Sequence, residues 1–484
     1  MKFYTSLLSL HVLLQQVTEC HSFSTHLSIP NSKRNIGFTT KNIRRTQSHR
    51  LYSASNKSTL QQQEIQESIS PTKIRTSFSN RTLYPLPKLV QNGTLQVDDI
   101  HSIYYEEYGN KNSTEQKKRV ALSLHGGPGA GAFQRHAQFF DPELYQRIIL
   151  FDQRGCGKST PKGQVDNNTL KHLVQDIEQL RIHLDIDQFD VVLGGSWGST
   201  LALAYAQTFP DSVGSMVLRG VCLFRPKEIN WLFGHDTEFG DCLSNQDGFQ
   251  GAWKNYKDCV SEGNDEFGNG PREALNEFYN YLLGDDPVSR IIAAKSWFTW
   301  EMGVSGRELA FHPELNKTKL DDVIVWNAQE KCWYSGKQEV DEKLVDKFRR
   351  WSQRAESNLQ SERPHKLRSV VEKRLDSSNQ NISISEAEKF IPAQAMLTCF
   401  YSVNDEYIMS EFDLLKPENI EKIRHIPCIA VQGAKDIICP PDSALDLVEQ
   451  WPEMECRIVK EGKHSMYDAR ILSELIEATD TMVK

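Results

Sequence analysis

Val191-Val192-Leu193-Gly194-Gly195-Ser196-Trp197-Gly198-Ser199 runs directly into Thr200-Leu201-Ala202-Leu203-Ala204-Tyr205-Ala206. The short apolar run reads as a buried strand, and the alanine- and leucine-rich continuation reads as a helix. Between them stands Gly-x-Ser-x-Gly. Strand, Gly-x-Ser-x-Gly and helix together form a nucleophile elbow, which holds the serine on a strained turn with its Oγ presented at the carboxyl end of a sheet. Side chains at Gly194 or Gly198 would collide with neighbouring backbone. This one turn predicts an α/β protein with a mostly parallel central sheet.

Working outward, other short apolar runs support that reading. They are Val120-Ala121-Leu122-Ser123-Leu124, Ile148-Ile149-Leu150-Phe151, Met216-Val217-Leu218, Ile429-Ala430-Val431 and Arg457-Ile458-Val459. Continuous apolar strands separated by helical patterns, such as Leu170 to Leu184, indicate a parallel sheet covered on both faces. Leu95-Gln96-Val97 and Ile103-Tyr104-Tyr105 alternate instead, as an antiparallel pair would. The alternation stops between Phe224 and Pro417, a stretch rich in Trp, Phe and Tyr. We expect core over 86–223, an inserted helical cap over 224–415, and core again over 416–484. The charged block from Lys337 to Asn381 reads as a solvated helix pair or flexible loop.

A serine hydroxyl is a poor nucleophile near neutral pH without a base. In an elbow architecture the partners follow in the order Ser, Asp, His, each after a late strand. Gln432-Gly433-Ala434-Lys435-Asp436 offers the acid and Lys460-Glu461-Gly462-Lys463-His464 the base. His464 is expected to take the Ser196 proton and Asp436 to orient its ring. The developing oxyanion needs fixed N–H donors. We expect one from the backbone of Trp197 and the other from Gly127, in the glycine-rich His125-Gly126-Gly127-Pro128-Gly129. No Gly-Lys-Ser/Thr follows those glycines, so they do not read as a phosphate cradle.

The formal charge of −8 conceals an asymmetry. Residues 1–63 hold eight Lys or Arg against the single acid Glu19, a surplus of seven that leaves −15 for the remainder. An acidic body argues against a nucleic-acid partner. Residues 1–22 resemble a signal peptide, with a basic start and a short apolar segment. The segment that follows, placed at 23–85, is rich in Ser, Thr, Asn and Arg and reads as transit-peptide-like or disordered. The two together resemble the bipartite leader of algae with complex plastids, so a plastid destination is expected, with secretion or the cytoplasm as alternatives. No apolar run is long enough for a membrane span. The ten cysteines form no Cys-x-x-Cys pair, so neither a metal site nor a dense disulfide framework is expected, and no cofactor is called for. Cys156 and Cys439, near the active-site loops, read as small buried fillers.

HGGPG at 125–129, Asp152-Gln153-Arg154-Gly155-Cys156-Gly157-Lys158-Ser159, Gly194-Gly195-Ser196-Trp197-Gly198-Ser199 and the contexts of Asp436 and His464 together resemble the proline iminopeptidase family of α/β-hydrolases. The resemblance runs from about Leu95 to the C-terminus. It implies the α/β-hydrolase fold with a helical cap, and an acyl-enzyme route that removes N-terminal proline from peptides. It also implies cap carboxylates that hold the substrate's free amine. Ala294-Lys295-Ser296-Trp297-Phe298-Thr299-Trp300-Glu301 matches one of them and makes Glu301 an amine anchor. The other does not match. Where the family has Glu-x-His-Tyr-Phe this chain has Thr398-Cys399-Phe400-Tyr401-Ser402, so Thr398 brings no charge, and only Asp405 or Glu406 lies near as compensation. Two further readings stay open: an esterase or amidase on small acyl substrates, and a ligand-binding receptor that keeps the triad. Epoxide hydrolysis is disfavoured, because that chemistry places a carboxylate at the elbow.

Overall fold

The computed structural model describes residues 80–109, 119–233, 271–305, 318–353, 391–405 and 412–482, with Tyr256, Cys259, Leu315 and Met409 beside them. Residues 1–79 and the end of the charged block, 354–381, lie outside that set, as does Glu406. The six apolar runs become strands: β3 (Val120–Leu124), β4 (Arg147–Asp152), β5 (Val191–Gly195), β6 (Met216–Arg219), β10 (Cys428–Gly433) and β11 (Glu455–Val459). They lie side by side and parallel, in the order β4-β3-β5-β6-β10-β11. Each is buried along nearly its whole length, because helices cover both faces and polar residues have nowhere to point. At one edge β1 (Leu89–Gln96) and β2 (Ser102–Gly109) add antiparallel, with Leu95 opposite Ile103.

Helix α1 (Leu170–His183) follows β4, and α2 (Trp197–Thr208) follows β5. α2 is buried almost all round, which explains its uniform Ala/Leu composition. After β6 the chain leaves the sheet through α3 (Pro226–Phe233), α4 (Pro271–Leu282) and α5 (Pro287–Ser305). Trp297, Trp300, Phe278, Phe233 and Tyr256 form their aromatic core, with Phe233 stacked on Trp297 at 4.6 Å between ring centres.

The inserted segment is not helical throughout. β7 (Val323–Asn327), β8 (Cys332–Ser335) and β9 (Gln338–Val340) form an antiparallel meander, and β7 joins the main sheet beside β11 with Val325 opposite Arg457. The sequence carries the signal in Val323-Ile324-Val325-Trp326 and Trp333-Tyr334, β-branched and aromatic residues on either side of a turn. The surrounding helical pattern masks it. The described part of the charged block is also not simply solvated. Helix α6 (Glu342–Gln353) buries Val345 and Phe348, and its Arg349 pairs with Asp446 and, at 2.7 Å, with Glu449. Those acids belong to α9 (Pro441–Gln450), which follows α7 (Ala393–Val403) and the short α8 (Pro417–Glu421).

The last helix, α10 (Ala469–Thr481), is capped by Asp468, whose carboxylate accepts from the N–H groups of Arg470 and Ile471. It also corrects the N-terminal boundary at 85. Arg81 N–H donates to Ser473 Oγ at 3.1 Å, the Arg81 guanidinium pairs with Asp480, and the Tyr84 hydroxyl donates to Asp480 at 2.9 Å. The packed chain therefore starts before residue 86. Among the described residues no helix is long and apolar enough to cross a membrane.

Candidate active site

At the end of β5 the chain turns so tightly that Ser196 takes φ 55°, ψ −127°, a region that side-chain-bearing residues rarely occupy. The flanking glycines make this possible. A Cβ on Gly194 would stand 2.3 Å from the Gly198 carbonyl oxygen, and one on Gly198 would stand 2.2 Å from that of Leu124. The elbow is thus wedged between α2 and the end of β3, and Ser196 N–H is pinned to the Arg219 carbonyl at 2.8 Å.

The HGGPG loop follows β3 and lies against the serine. Gly127 sits at φ +117°, where any side chain would be strained. A Cβ on Gly126 would fall 3.3 Å from Ser196 Cβ, a close fit that a side chain could take only if its neighbours shifted. Trp197 is the first residue of α2, and its N–H has no intrahelical acceptor. Gly126 thus packs against Ser196, with Gly127 next to it in the loop and Trp197 next to the serine in the chain.

The Asp152–Ser159 motif holds this loop. Gln153 donates from Nε2 to the His125 carbonyl (2.9 Å) and accepts at Oε1 from Trp197 Nε1 (3.0 Å), so one buried amide joins the HGGPG loop to the start of α2. Its N–H donates to His125 Nε2 at 3.0 Å, and burial lowers the pKa of that imidazole, keeping it neutral as the acceptor. Asp152 accepts from the N–H groups of Ala132 and Lys158, each at 2.7 Å. Arg154 grips buried Asp176 with two nitrogens and reaches Asp98 at 2.7 Å. In the sequence these residues register only as part of a motif; their role as a brace appears in three dimensions.

Asp436 and His464 come together after β10 and β11. His464 Nδ1 lies 2.9 Å from Asp436 Oδ2 and 3.0 Å from Oδ1. Asp436 is fully buried, and its Oδ1 also accepts from the N–H groups of Ile438 and Cys439 at 2.9 Å each. Cys439 in turn places its Sγ 3.9 Å from Ser196 Oγ. A hydrogen bond with Cys222, together with burial, pushes the Cys439 thiol well up, and burial does the same at Cys156, so both cysteines are packed thiols at neutral pH.

The ring's other nitrogen has a partner that the sequence does not reveal. His464 Nε2 faces Arg219 Nη1 at 3.2 Å, and the same Nη1 donates to the His464 carbonyl at 3.0 Å. A guanidinium only donates, so Nε2 is an acceptor and the proton sits on Nδ1, facing Asp436. The structure records no hydrogen bond from Ser196 Oγ to Nε2 among the described residues. Burial lowers the Arg219 pKa, and the Asp436 charge is the strongest influence against that shift. Arg219 ends a buried strand, where an arginine is the one residue that breaks the apolar run; that is the available signal.

In the cap, Glu301 lies one turn from the end of α5. Its Oε1 accepts from Trp297 Nε1 at 2.9 Å and its Oε2 from Gln394 Nε2 at 3.1 Å. Part of the residue stays open to solvent, but protein encloses the carboxyl group, and burial pushes its pKa up to about 7 against the pull of those two donors. Trp297 thus has a polar task besides packing. Thr398 is buried on α7 and donates to the Pro128 carbonyl at 3.1 Å, so it fastens the cap to the HGGPG loop. Asp405 is also buried.

Strand order, serine elbow and a late Asp–His pair define an α/β hydrolase, and a family profile described as alpha/beta hydrolase fold matches residues 122–256. A probable proline iminopeptidase from Leptolyngbya boryana is 35% identical over 408 residues, covering 83% of this chain and 97% of its own. The proline iminopeptidase of Arabidopsis thaliana is 34% identical and covers 86% of each chain. That of Neisseria meningitidis serogroup B is 31% identical, covering 83% of this chain and 99% of its own. The chain belongs to the proline iminopeptidase family, an aminopeptidase family of the α/β-hydrolase fold.

Proposed function

We propose that this protein releases N-terminal proline from peptides through an acyl-enzyme on Ser196. The observation that carries the reading is the Asp436–His464 pair beside a strained, backbone-wedged serine, under a cap that presents a nearly enclosed carboxylate. With Nδ1–H held by Asp436, the Nε2 lone pair is available. In the reacting arrangement it leaves Arg219 and takes the Ser196 proton as Oγ attacks the prolyl carbonyl. The Gly127 and Trp197 N–H groups stabilise the oxyanion. Collapse expels the amine, which takes the proton from His464, and water then repeats the sequence to free proline.

Glu301 supplies the exopeptidase character. A carboxylate in a confined site favours a terminal ammonium and disfavours substrates without one. The basic leader, with eight Lys or Arg against one acid over residues 1–63, supports plastid delivery, which a fluorescent fusion of residues 1–85 in a complex-plastid alga would show directly.

The test uses proline 7-amido-4-methylcoumarin and its N-acetyl form. We expect cleavage of the free-amine substrate alone. Equal cleavage of both would establish the esterase or amidase reading, and binding without turnover of either would establish the receptor reading.

A further inference from the structure

We infer that Gln394 is a specificity-determining residue that completes the amine subsite in place of a second carboxylate. The inference rests on the reading of Glu301 as the amine anchor. Thr398, at the position where a second acid is expected, is spent on the Pro128 carbonyl. One turn earlier on the same face of α7 stands Gln394, since residues i and i+4 of a helix are neighbours. It is placed at both ends of the problem. Its Nε2 donates to Glu301 Oε2 at 3.1 Å, and its Cα lies so close to the HGGPG loop that a Cβ on Gly129 would come within 3.1 Å of it.

The chemistry follows from what each atom can do. An ionised carboxylate only accepts, so the Gln394 amide must turn its NH₂ to Glu301, which leaves Oε1 as the acceptor it can offer a substrate. The N-terminal nitrogen of a prolyl peptide is a secondary ammonium with two N–H donors. One can go to Glu301 and one to Gln394 Oε1, a charge partner and a neutral partner for one positive charge. A primary α-ammonium brings a third N–H that this pair does not serve, and a buried unsatisfied donor weakens binding about tenfold. The site therefore favours proline by the count of its donors as well as by its shape.

Gln394 also sets the charge state of its neighbour. Burial holds Glu301 up at about 7, and the Gln394 and Trp297 donors oppose that shift. Tyr256 is the further titratable group among the described residues that feels the Glu301 charge. Removing the Gln394 donor should raise the Glu301 pKa and move the acid limb of the prolyl reaction to higher pH.

The full-length chain, Gln394→Met and Gln394→Glu are compared in three assays. These are hydrolysis of proline 7-amido-4-methylcoumarin, hydrolysis of the alanine analogue, and the rate at which a fluorophosphonate labels Ser196, which reads the triad without an amine. For Gln394→Met we expect the prolyl kcat/KM to fall about tenfold, mainly through KM. The proline-to-alanine preference should shrink, the acid limb should move upward, and labelling should stay within twofold. Gln394→Glu keeps an acceptor but loses the donor, so it should retain prolyl turnover above the acid limb and shift that limb further. A methionine variant with unchanged prolyl efficiency and an unchanged limb overturns the inference. So does parallel loss of labelling, which would make Gln394 a packing residue. If the wild type is labelled but cleaves neither amide, the failure belongs to the reading of Glu301 itself.

Discussion

The catalytic rim and the amine subsite are built by opposite means. Around Ser196 the positions are fixed mainly by backbone: two glycines allow the elbow its contacts and β3 and α2 close on it, with one buried side chain, Gln153, joining the HGGPG loop to α2. Around Glu301 they are fixed by side chains on two cap helices, Trp297 beside it and Gln394 across from it. The rim has almost no freedom to vary, because a single methyl group would meet a carbonyl oxygen. The subsite exchanges one polar residue for another without disturbing a strand. Within one site, then, the chemistry is rigid and the selectivity is adjustable.

The predictions probe that contrast. Ser196→Ala should abolish prolyl turnover, a loss of about 10⁶-fold, while the folded protein survives; residual turnover within a hundredfold of wild type would place the nucleophile elsewhere. Gly198→Ala should prevent soluble folding or lower the melting temperature steeply, since its Cβ would stand 2.2 Å from the Leu124 carbonyl oxygen. A variant that melts like wild type would show that the rim is not wedged as described.

Glu301→Gln should lower the prolyl kcat/KM by about a hundredfold, as expected when one partner of a confined charge pair is removed, yet leave fluorophosphonate labelling of Ser196 intact. It should also stabilise the protein at pH 8. The sign follows from the raised pKa: the folded state holds the Glu301 proton more tightly than the unfolded chain, so its contribution to stability is present at low pH and lost as pH rises through about 7. A melting temperature higher than wild type by about 2 °C at pH 8, with no gain at pH 4, is the expected pattern.

The same carboxyl predicts that prolyl turnover rises through an acid limb near pH 7 that Ser196 labelling does not share. Identical limbs in the two assays would remove Glu301 from substrate binding. The smallest effect should come from Gln153→Leu, which leaves the His125 carbonyl and the Trp197 indole N–H unpaired. We expect about 1–3 kcal/mol of lost stability and a lower kcat with KM little changed. A KM effect instead would mean that the clasp serves the substrate pocket.

The contrast also explains what could be read from the sequence. The elbow, the strand runs, Asp436 and His464 are legible because backbone-determined structure leaves a local signature: glycines where contacts are closest, apolar runs where strands are covered. Arg219 leaves only a charge that breaks an apolar run, without its partner His464, and Gln394 on Glu301 leaves no signal, since each meets its partner from a different element. The hairpin of β7 and β8 was hidden for another reason. Its Trp326 and Trp333 sit amid a segment whose aromatic residues otherwise build helix cores, so composition pointed the wrong way. The N-terminal boundary is not legible because Arg81 and Tyr84 read as the end of a polar leader, and their partner Asp480 is remote in sequence.

Because β7 is zipped to β11, the cap is not a hat resting on the enzyme but a flap sewn along one seam to the strand that delivers His464. Anyone grafting a foreign specificity module onto this scaffold would have to leave 323–340 behind as part of the chassis. A cut at the outer limits of the insertion would unpick the stitching next to His464.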